Sequence, residues 1–145
     1  MPVDVLTSVE INRPRGDVAA FASDPDNVTR WYRNIVSVEW ETPPPVRLGT
    51  RVAFVAQFLG RRLAYTYEVV ELVAGRLLVM RTDQGPFPME TTYSWEDSAS
   101  ERTRMTLRNR GEPSGFSRVA APALVRAMRR ANRKDLDTLK RVLEQ

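Results

Sequence analysis

The chain has 145 residues, a length that suits one domain spanning residues 1–145 with a substantial apolar core. Its formal net charge is +4, and its 42% hydrophobic and 28% charged residues are ordinary for a globular protein. The sequence contains no cysteine and no histidine, which excludes disulfides, Cys or His nucleophiles, Ser-His triads and thiolate or imidazole metal sites. Any catalysis therefore depends on carboxylates, tyrosine, lysine, arginine, hydroxyls or bound water, and we expect neither a metal nor a cofactor.

The N-terminal part of the sequence predicts a strand, two short helices and a second strand. Residues 5–11 alternate between apolar and polar side chains, which is typical of a strand. Pro14 and Pro25 stand near the starts of two short helical segments, the second of which ends near Trp31 and Tyr32. Residues 35–41 predict the next strand, which the proline run at 43–45 ends.

The remainder predicts an antiparallel meander followed by one long helix. Short turns separate five apolar stretches, and we expect strands over 51–58, 63–73, 76–83, 87–96 and 102–110. After residues 111–115 the apolar period changes from 2 to 3.6, which indicates an amphipathic helix to the end of the chain. Pro122 lies in its first third and should delay or kink the helix.

This order of elements predicts an α+β fold in which one long helix packs against a seven-stranded antiparallel sheet. A sheet of this size twists and curls, so the helix is expected on its concave side. Alanine and proline leave the N-terminal half of the helix thin. We therefore expect a cavity of roughly a few hundred Å³ between the sheet and the helix.

Four groups of residues spread over the chain also carry a resemblance. They are residues 21–31 (FASDPDNVTRW), residues 48–52 (LGTRV), the pair 67–72 and 75–82, and the pair 93–96 and 103–107. They resemble the START-like (SRPBCC) helix-grip superfamily, which includes birch-pollen-allergen-like proteins and polyketide cyclase/dehydrase and lipid-transport relatives. The resemblance implies a curved seven-stranded antiparallel sheet around a long C-terminal helix, with two short helices after strand 1. It also implies a hydrophobic ligand between sheet and helix, and it carries over no catalytic residue set.

The aromatic, methionine and other apolar side chains that face the helix are the candidate ligand-binding residues. Alternation places Thr91, Tyr93, Thr103 and Asn109 on that face, where their polar atoms need partners. These side chains either pack the core or line a pocket. The predicted ligand-binding residues are Trp31, Phe54, Tyr65, Tyr67, Met80, Phe87, Met89, Thr91, Tyr93, Met105, Phe116, Leu124 and Met128.

Three glutamates are the carboxylates that could perform general acid–base chemistry, namely Glu68, Glu71 and Glu90. A carboxylate is a useful base near neutral pH only if burial raises its pKa. Tyr65 and Tyr67 share one face of the fourth strand and could orient a ligand oxygen or donate a proton, whereas Glu68 lies on the other face. The alternative is that all three glutamates are solvated residues of the outer sheet face.

One end of the sheet is predicted to form a mouth over the cavity. Trp31, the turn at 85–88 and the segment 116–122 combine bulky apolar groups with stiff or bendable backbone, as a gate requires. The alternative is that these residues simply cap the end of the core.

Arginine side chains support two further hypotheses. Arg81 alternates with Leu78 and Met80, so it either binds a ligand carboxylate or points into solvent. A dense basic patch on the long helix is either a solvated face or a docking surface for anionic lipid headgroups. Its members are Arg126, Arg129, Arg130, Arg133 and Lys134. Nucleic acid is disfavoured as a partner because no stacking aromatic residues accompany these arginines.

Binding or carriage of a small hydrophobic or amphipathic ligand in the cavity is the leading functional hypothesis. One alternative is a polyketide cyclase/dehydratase-type enzyme that uses the same cavity, favoured if a glutamate faces inward beside a tyrosine. The other is an interaction module that docks an anionic membrane surface through the basic helix face. A homodimer is compatible with the sequence. We expect no transmembrane segment and, because no export signal is visible, a cytoplasmic location.

Overall fold

A computed structural model of the chain describes residues 3–58, 60–82, 84, 87–112 and 121–145, and the backbone alone at residue 58. Its strands are β1 Val3–Ile11, β2 Ile35–Trp40, β3 Arg51–Phe58, β4 Arg61–Val73, β5 Leu77–Thr82, β6 Met89–Ala99 and β7 Arg102–Gly111. Its helices are α1 (Arg15–Ala22), a 3₁₀ helix (Pro25–Arg30) and the C-terminal α2 (Ala121–Leu143). The predicted order of elements is confirmed, and each strand bound lies within a few residues of its expected place.

The described strands form one antiparallel sheet of seven strands in the order β1-β7-β6-β5-β4-β3-β2. Strands β2 to β7 are a meander because each pairs with the next strand along the chain, and β1 closes the sheet beside β7. Register shifts in β2, β4 and β6 bend these strands, as bulges do, and so increase the curl of the sheet. The result is the helix-grip architecture of the α+β class.

The two faces of the sheet have opposite chemistry. On the outer face, arginines pair with carboxylates across neighbouring strands, as between Arg108 and Asp4 at 2.7 Å and between Arg104 and Glu10 at 3.0 Å. Such exposed pairs contribute little stability. The inner face is apolar, and because side chains alternate along a strand, its register decides which residues meet the helices.

Helix α2 packs most tightly through its C-terminal half. Leu136, Leu139 and Leu143 are buried there in one cluster with Trp95 and Met105 of the inner sheet face. Pro122 is the second residue of the described helix. The long amphipathic helix expected from the sequence is therefore present over residues 121–143.

At the end of β7, Gly111 leaves room for an aromatic ring. A side-chain carbon at Gly111 would lie 2.5 Å from a ring carbon of Phe87 and 2.8 Å from the carbonyl oxygen of Pro88. Phe87 itself is buried beside Val3, Val5 and other residues of the same cluster. The ring can occupy this place only because residue 111 is a glycine.

We expect Gly111→Ala to displace the ring of Phe87 and to lower the free energy of unfolding by roughly 1–3 kcal/mol. Urea denaturation followed by circular dichroism measures the change. Gly16→Ala is the matched control, because Gly16 is in α1 and no atom lies within 4 Å of the added carbon. The control should be neutral or stabilising by up to about 1 kcal/mol. Equal stability of the two variants would contradict the close packing at Gly111.

Candidate functional site

A cavity of about 180 Å³ lies between the inner face of the sheet and the N-terminal part of α2. The α2 residues that line it are Leu124, Met128, Ala131, Asn132 and Asp135. The opposite wall comes mainly from β3 to β6, and the 3₁₀ helix closes one side. The volume is smaller than we expected from the curl of the sheet. Four tyrosines line it, namely Tyr32, Tyr65, Tyr67 and Tyr93.

An aromatic wall forms where β3 and β4 face the cavity. The ring of Tyr67 lies edge-on to the rings of Tyr65, at 5.4 Å between centroids, and Phe54, at 5.9 Å. These are favourable aromatic geometries. Burial raises the pKa of both tyrosine hydroxyls, so each remains protonated and neutral near physiological pH.

A chain of hydrogen bonds crosses the cavity wall from β4 to α2. The hydroxyls of Tyr67 and Thr91 share a bond of 3.1 Å, and Nδ2 of Asn109 donates to Oγ1 of Thr91 at 2.9 Å. Nδ2 of Asn132 in turn donates to Oδ1 of Asn109 at 2.6 Å. The protein itself therefore partners the inward polar atoms of Thr91 and Asn109, whose need for partners was evident from the sequence.

Asp135 of α2 is the buried carboxylate of the cavity. Its side chain lines the cavity although the residue is only 2% exposed, and its Oδ1 accepts a hydrogen bond of 3.1 Å from the backbone N–H of Arg33. Burial raises the pKa of Asp135 to about 6, and the N–H and charge of Arg33 oppose this only in part. Within the described ranges, Oδ2 of Asp135 accepts no hydrogen bond.

Two tyrosines stand beside this carboxylate. The hydroxyl of Tyr93 donates to that of Tyr32 at 2.8 Å. Burial raises the pKa of both tyrosines, and the negative charge of Asp135 raises both further. The cavity thus combines neutral phenols with one carboxylate that can change charge near neutral pH, which is the arrangement that proton transfer requires.

The interpretation of three glutamates as the available carboxylates was wrong. Glu68 pairs with Arg51 at 2.9 Å, Glu90 pairs with Arg81 at 2.7 Å, and Glu71 is exposed. Alternation puts Glu68, Glu90 and Arg81 on the outer face, because their neighbours in each strand line the cavity. Glu71 has the same parity as Tyr67, but it is exposed because the register of β4 shifts between Val69 and Glu71. Arg81 therefore does not reach a ligand in the cavity.

The spacing of polar residues in the long helix also indicates Asp135 as a site residue. Met128, Asn132, Asp135 and Leu139 follow one another at intervals of four, three and four residues, which is the spacing of one helix face. A carboxylate and an amide within that apolar stripe mark a buried polar site. Asn132 and Asp135 were overlooked because the helix also carries many solvated charges.

Most of the predicted ligand-binding side chains lie together on the cavity wall. Those that line it are Phe54, Tyr65, Tyr67, Met80, Phe87, Met89, Thr91, Tyr93, Leu124 and Met128. Trp31 does not line it, since its ring packs behind Tyr32 and Tyr93 at 4.3 and 5.7 Å. Met105 is fully buried in the core beneath the C-terminal half of α2. Phe116 lies outside the described residues.

The described residues of the predicted mouth do not lie in one cluster. Trp31 belongs to the core cluster around Leu136, whereas Phe87 and Ala121 belong to a separate cluster with Met128. Trp31 directly follows the 3₁₀ helix and packs against Tyr93 in the core, so it does not contact Phe87 or Ala121 in their cluster. Residues 85, 86 and 116–120 of the predicted gate lie outside the described residues.

The basic patch of α2 is exposed at all five of its positions, from Arg126 to Lys134. Within the described part of the chain, no helix is long and apolar enough to cross a membrane. Over the same residues, no three carboxylates come together in a way that could hold a metal ion.

We expect Asp135→Asn to remove a pH dependence of stability. The carboxyl pKa is about 6 in the folded protein and near the ordinary 3.8 when unfolded, so between these values the folded state binds more protons. The free energy of unfolding should therefore fall as pH rises from about 4 to about 6, by up to about 3 kcal/mol. Thermal or urea unfolding across this range measures it.

Asp137→Asn is the matched control, because Asp137 is an exposed aspartate two residues further along α2. This variant should follow the wild-type pH profile of stability within about 0.5 kcal/mol. If Asp135→Asn also kept the wild-type profile, the burial of an ionisable group at position 135 would be contradicted.

Comparison with known proteins places this architecture in a family. The family model for polyketide cyclase / dehydrase and lipid transport proteins matches residues 2–144. Among curated proteins, none matches the sequence.

The Zhui aromatase/cyclase from Streptomyces sp. R1128 is similar with a TM-score of 0.84 at 15% identity, over 99% of this chain and 94% of that one. A START superfamily protein from Mycobacterium smegmatis has a TM-score of 0.84 at 14% identity, over 98% and 97%. TTHA0849 from Thermus thermophilus has 0.82 at 20% identity, over 95% and 94%. At these identities the structural similarity shows the fold alone. Because the family model spans residues 2–144, the chain belongs to the polyketide cyclase / dehydrase and lipid transport family.

Proposed function

We propose that this protein binds one small amphipathic molecule in the cavity between sheet and helix. The observation that carries the proposal is the combination of an apolar, aromatic wall with a row of polar groups on the helix side. Ligand sites in proteins are concave and mostly apolar, with a few placed polar groups that orient the ligand. The family's description, which joins cyclases with lipid transport, supports a cavity-based function without naming a ligand.

The volume of the cavity limits the size of the ligand. An apolar protein cavity of about 150 Å³ holds benzene. The cavity of about 180 Å³ is therefore suited to a substituted ring or a short chain, with any larger part extending toward solvent. The hydrocarbon part would lie against Leu78 and Met80, and its polar end would face Asn132 and Asp135.

Ala131 provides a direct test because it lines the cavity from α2. We expect Ala131→Leu to fill part of the space and to weaken binding of 2-phenylethanol by about tenfold or more. Isothermal titration calorimetry measures the affinity, and native mass spectrometry of the freshly purified protein shows whether a molecule co-purifies with the wild type and not with the variant.

Ala123→Leu is the control for Ala131→Leu, since Ala123 is exposed on the same helix. It should leave the affinity unchanged within about twofold. Both variants should unfold at temperatures close to the wild type. If Ala131→Leu bound the probe as well as Ala123→Leu, the ligand would not occupy the cavity.

We infer a second candidate, an enzyme of the cyclase/dehydratase type, from the inward position and raised pKa of Asp135. A carboxylate whose pKa lies near neutrality can both accept and return a proton. On a β-hydroxyketone, Asp135 would remove a proton from the carbon beside the carbonyl. The carbon–carbon double bond forms as the carbon–oxygen bond to the hydroxyl breaks, and Asp135 returns the proton to the leaving oxygen as water. Tyr32 would hydrogen-bond the enolate oxygen, so no oxidant or further reactant is needed.

The enzyme hypothesis predicts dehydration of 4-hydroxy-4-phenylbutan-2-one to the conjugated enone, followed by ultraviolet absorbance. Asp135→Asn should lower the rate by about 10²-fold, while Asp137→Asn should leave it unchanged. The wild-type rate should rise with pH through about 6 as Asp135 loses its proton. Full activity of Asp135→Asn would rule out this aspartate as the base, and binding without turnover would leave carriage as the function.

A further inference from the structure

We propose that the cavity selects a ligand bearing a protonated amine, which pairs with Asp135, and that it rejects carboxylates and phosphates. This inference rests on the proposed binding function and names the chemical class of its ligand. Three observations carry it: the charges that line the cavity, the free oxygen of Asp135, and the contrast between cavity and surface.

The described part of the cavity wall carries one side chain that ionises near neutral pH. Among the described residues that line the cavity, Asp135 is the only acidic side chain, and none is an arginine or lysine. The other titratable lining residues are four tyrosines, which are neutral. An anionic ligand would therefore lose its hydration without gaining a cationic partner, which is costly in an apolar site.

The charge of Arg33 acts on the carboxylate of Asp135, but the two side chains do not form an ion pair. Within the described part of the chain no basic side chain forms an ion pair with Asp135, although charged residues that are fully buried are normally paired. Its Oδ1 is used by the backbone N–H of Arg33, whereas Oδ2 has no partner there and the side chain borders the cavity. An ammonium group of a ligand would supply both the missing charge and the missing hydrogen-bond donor.

The electron-rich rings of the neighbouring tyrosines attract a cation. Tyr32 already accepts a hydrogen bond from Tyr93, and both rings stand close enough to Asp135 for its charge to raise their pKa. A ligand ammonium between these groups would lie next to one carboxylate and the faces or oxygens of two electron-rich phenols. The apolar residues Leu78 and Met80 remain for the hydrocarbon part.

The sign of the charge reverses between surface and cavity. The chain has a net charge of +4, and five basic residues of α2 between 126 and 134 are exposed on its outer side. The surface thus attracts anions, while the described lining of the cavity holds only a carboxylate. Selection for a cation therefore arises inside the cavity and not from the protein as a whole.

Three probes of one size test the inference, namely 2-phenylethylamine, 2-phenylethanol and phenylacetate. Calorimetric titration at about pH 8 should give the tightest binding for the amine, weaker binding for the alcohol, and an affinity for phenylacetate at least about tenfold below that of the amine. In Asp135→Asn the amine should lose its advantage, so that amine and alcohol bind within about threefold of each other. The control Asp137→Asn should keep the wild-type order.

A second measurement requires no variant and so does not depend on the folding of Asp135→Asn. At about pH 5 the carboxyl of Asp135 is largely protonated, and the wild type should lose most of its preference for the amine over the alcohol. Tyr32 and Tyr93 beside Asp135 stay neutral at both pH values because burial raises their pKa. The charge of Arg33, which also acts on Asp135, is present at both pH values and so does not produce the change.

The outcomes separate this inference from the proposed function. If the alcohol binds and the amine is not preferred, or if phenylacetate binds as tightly as the amine, charge selection is overturned while ligand binding stands. If none of the three probes binds, both proposals are overturned. If the amine preference survives in Asp135→Asn and at about pH 5, it does not arise from this carboxylate and the inference is wrong.

Discussion

The packing of helix α2 against the curved sheet is the interaction on which the rest of the structure depends. The C-terminal half of the helix presents leucines that fill the space down to Met105, and this half anchors the element. Toward the N-terminal end the helix presents alanine, asparagine and aspartate at the cavity, while the sheet curves away. The C-terminal half of α2 therefore fills the core, and its N-terminal part borders the cavity.

The polar groups of the cavity are held by that same packing. Asn132 and Asp135 lie within the buried stripe of α2, so burying Leu136 and Leu139 also brings an amide and a carboxylate under the sheet. The amide is satisfied by Asn109, whereas the carboxylate has only a backbone partner within the described residues. A buried carboxylate with too few hydrogen-bond partners lowers the stability of the fold. Such destabilising groups are typical of functional sites.

The aromatic side chains have two separate roles that composition does not distinguish. Phe54, Tyr65 and Tyr67 form a wall that faces the cavity, because alternate residues of β3 and β4 share the inner face. Trp31 instead packs behind the rings of Tyr32 and Tyr93 and does not line the cavity. The rings of Phe54, Tyr65 and Tyr67 therefore line the cavity, whereas the ring of Trp31 lies in the core behind it.

The sequence alone determined the order of elements, the alternation on β6 and β7, and the amphipathic helix, because these depend on local periodicity that burial enforces. It also determined most of the cavity wall, since inward positions such as Thr91 and Met128 follow from that periodicity. Only the tertiary structure decided which inward residues border the cavity. Met128 borders it, whereas Met105 is covered by the C-terminal half of α2. The tertiary structure likewise decided that Asp135, and not Glu68, is the buried carboxylate. The pKa of an acid depends on the neighbours that surround it in three dimensions, and these neighbours come from distant parts of the chain.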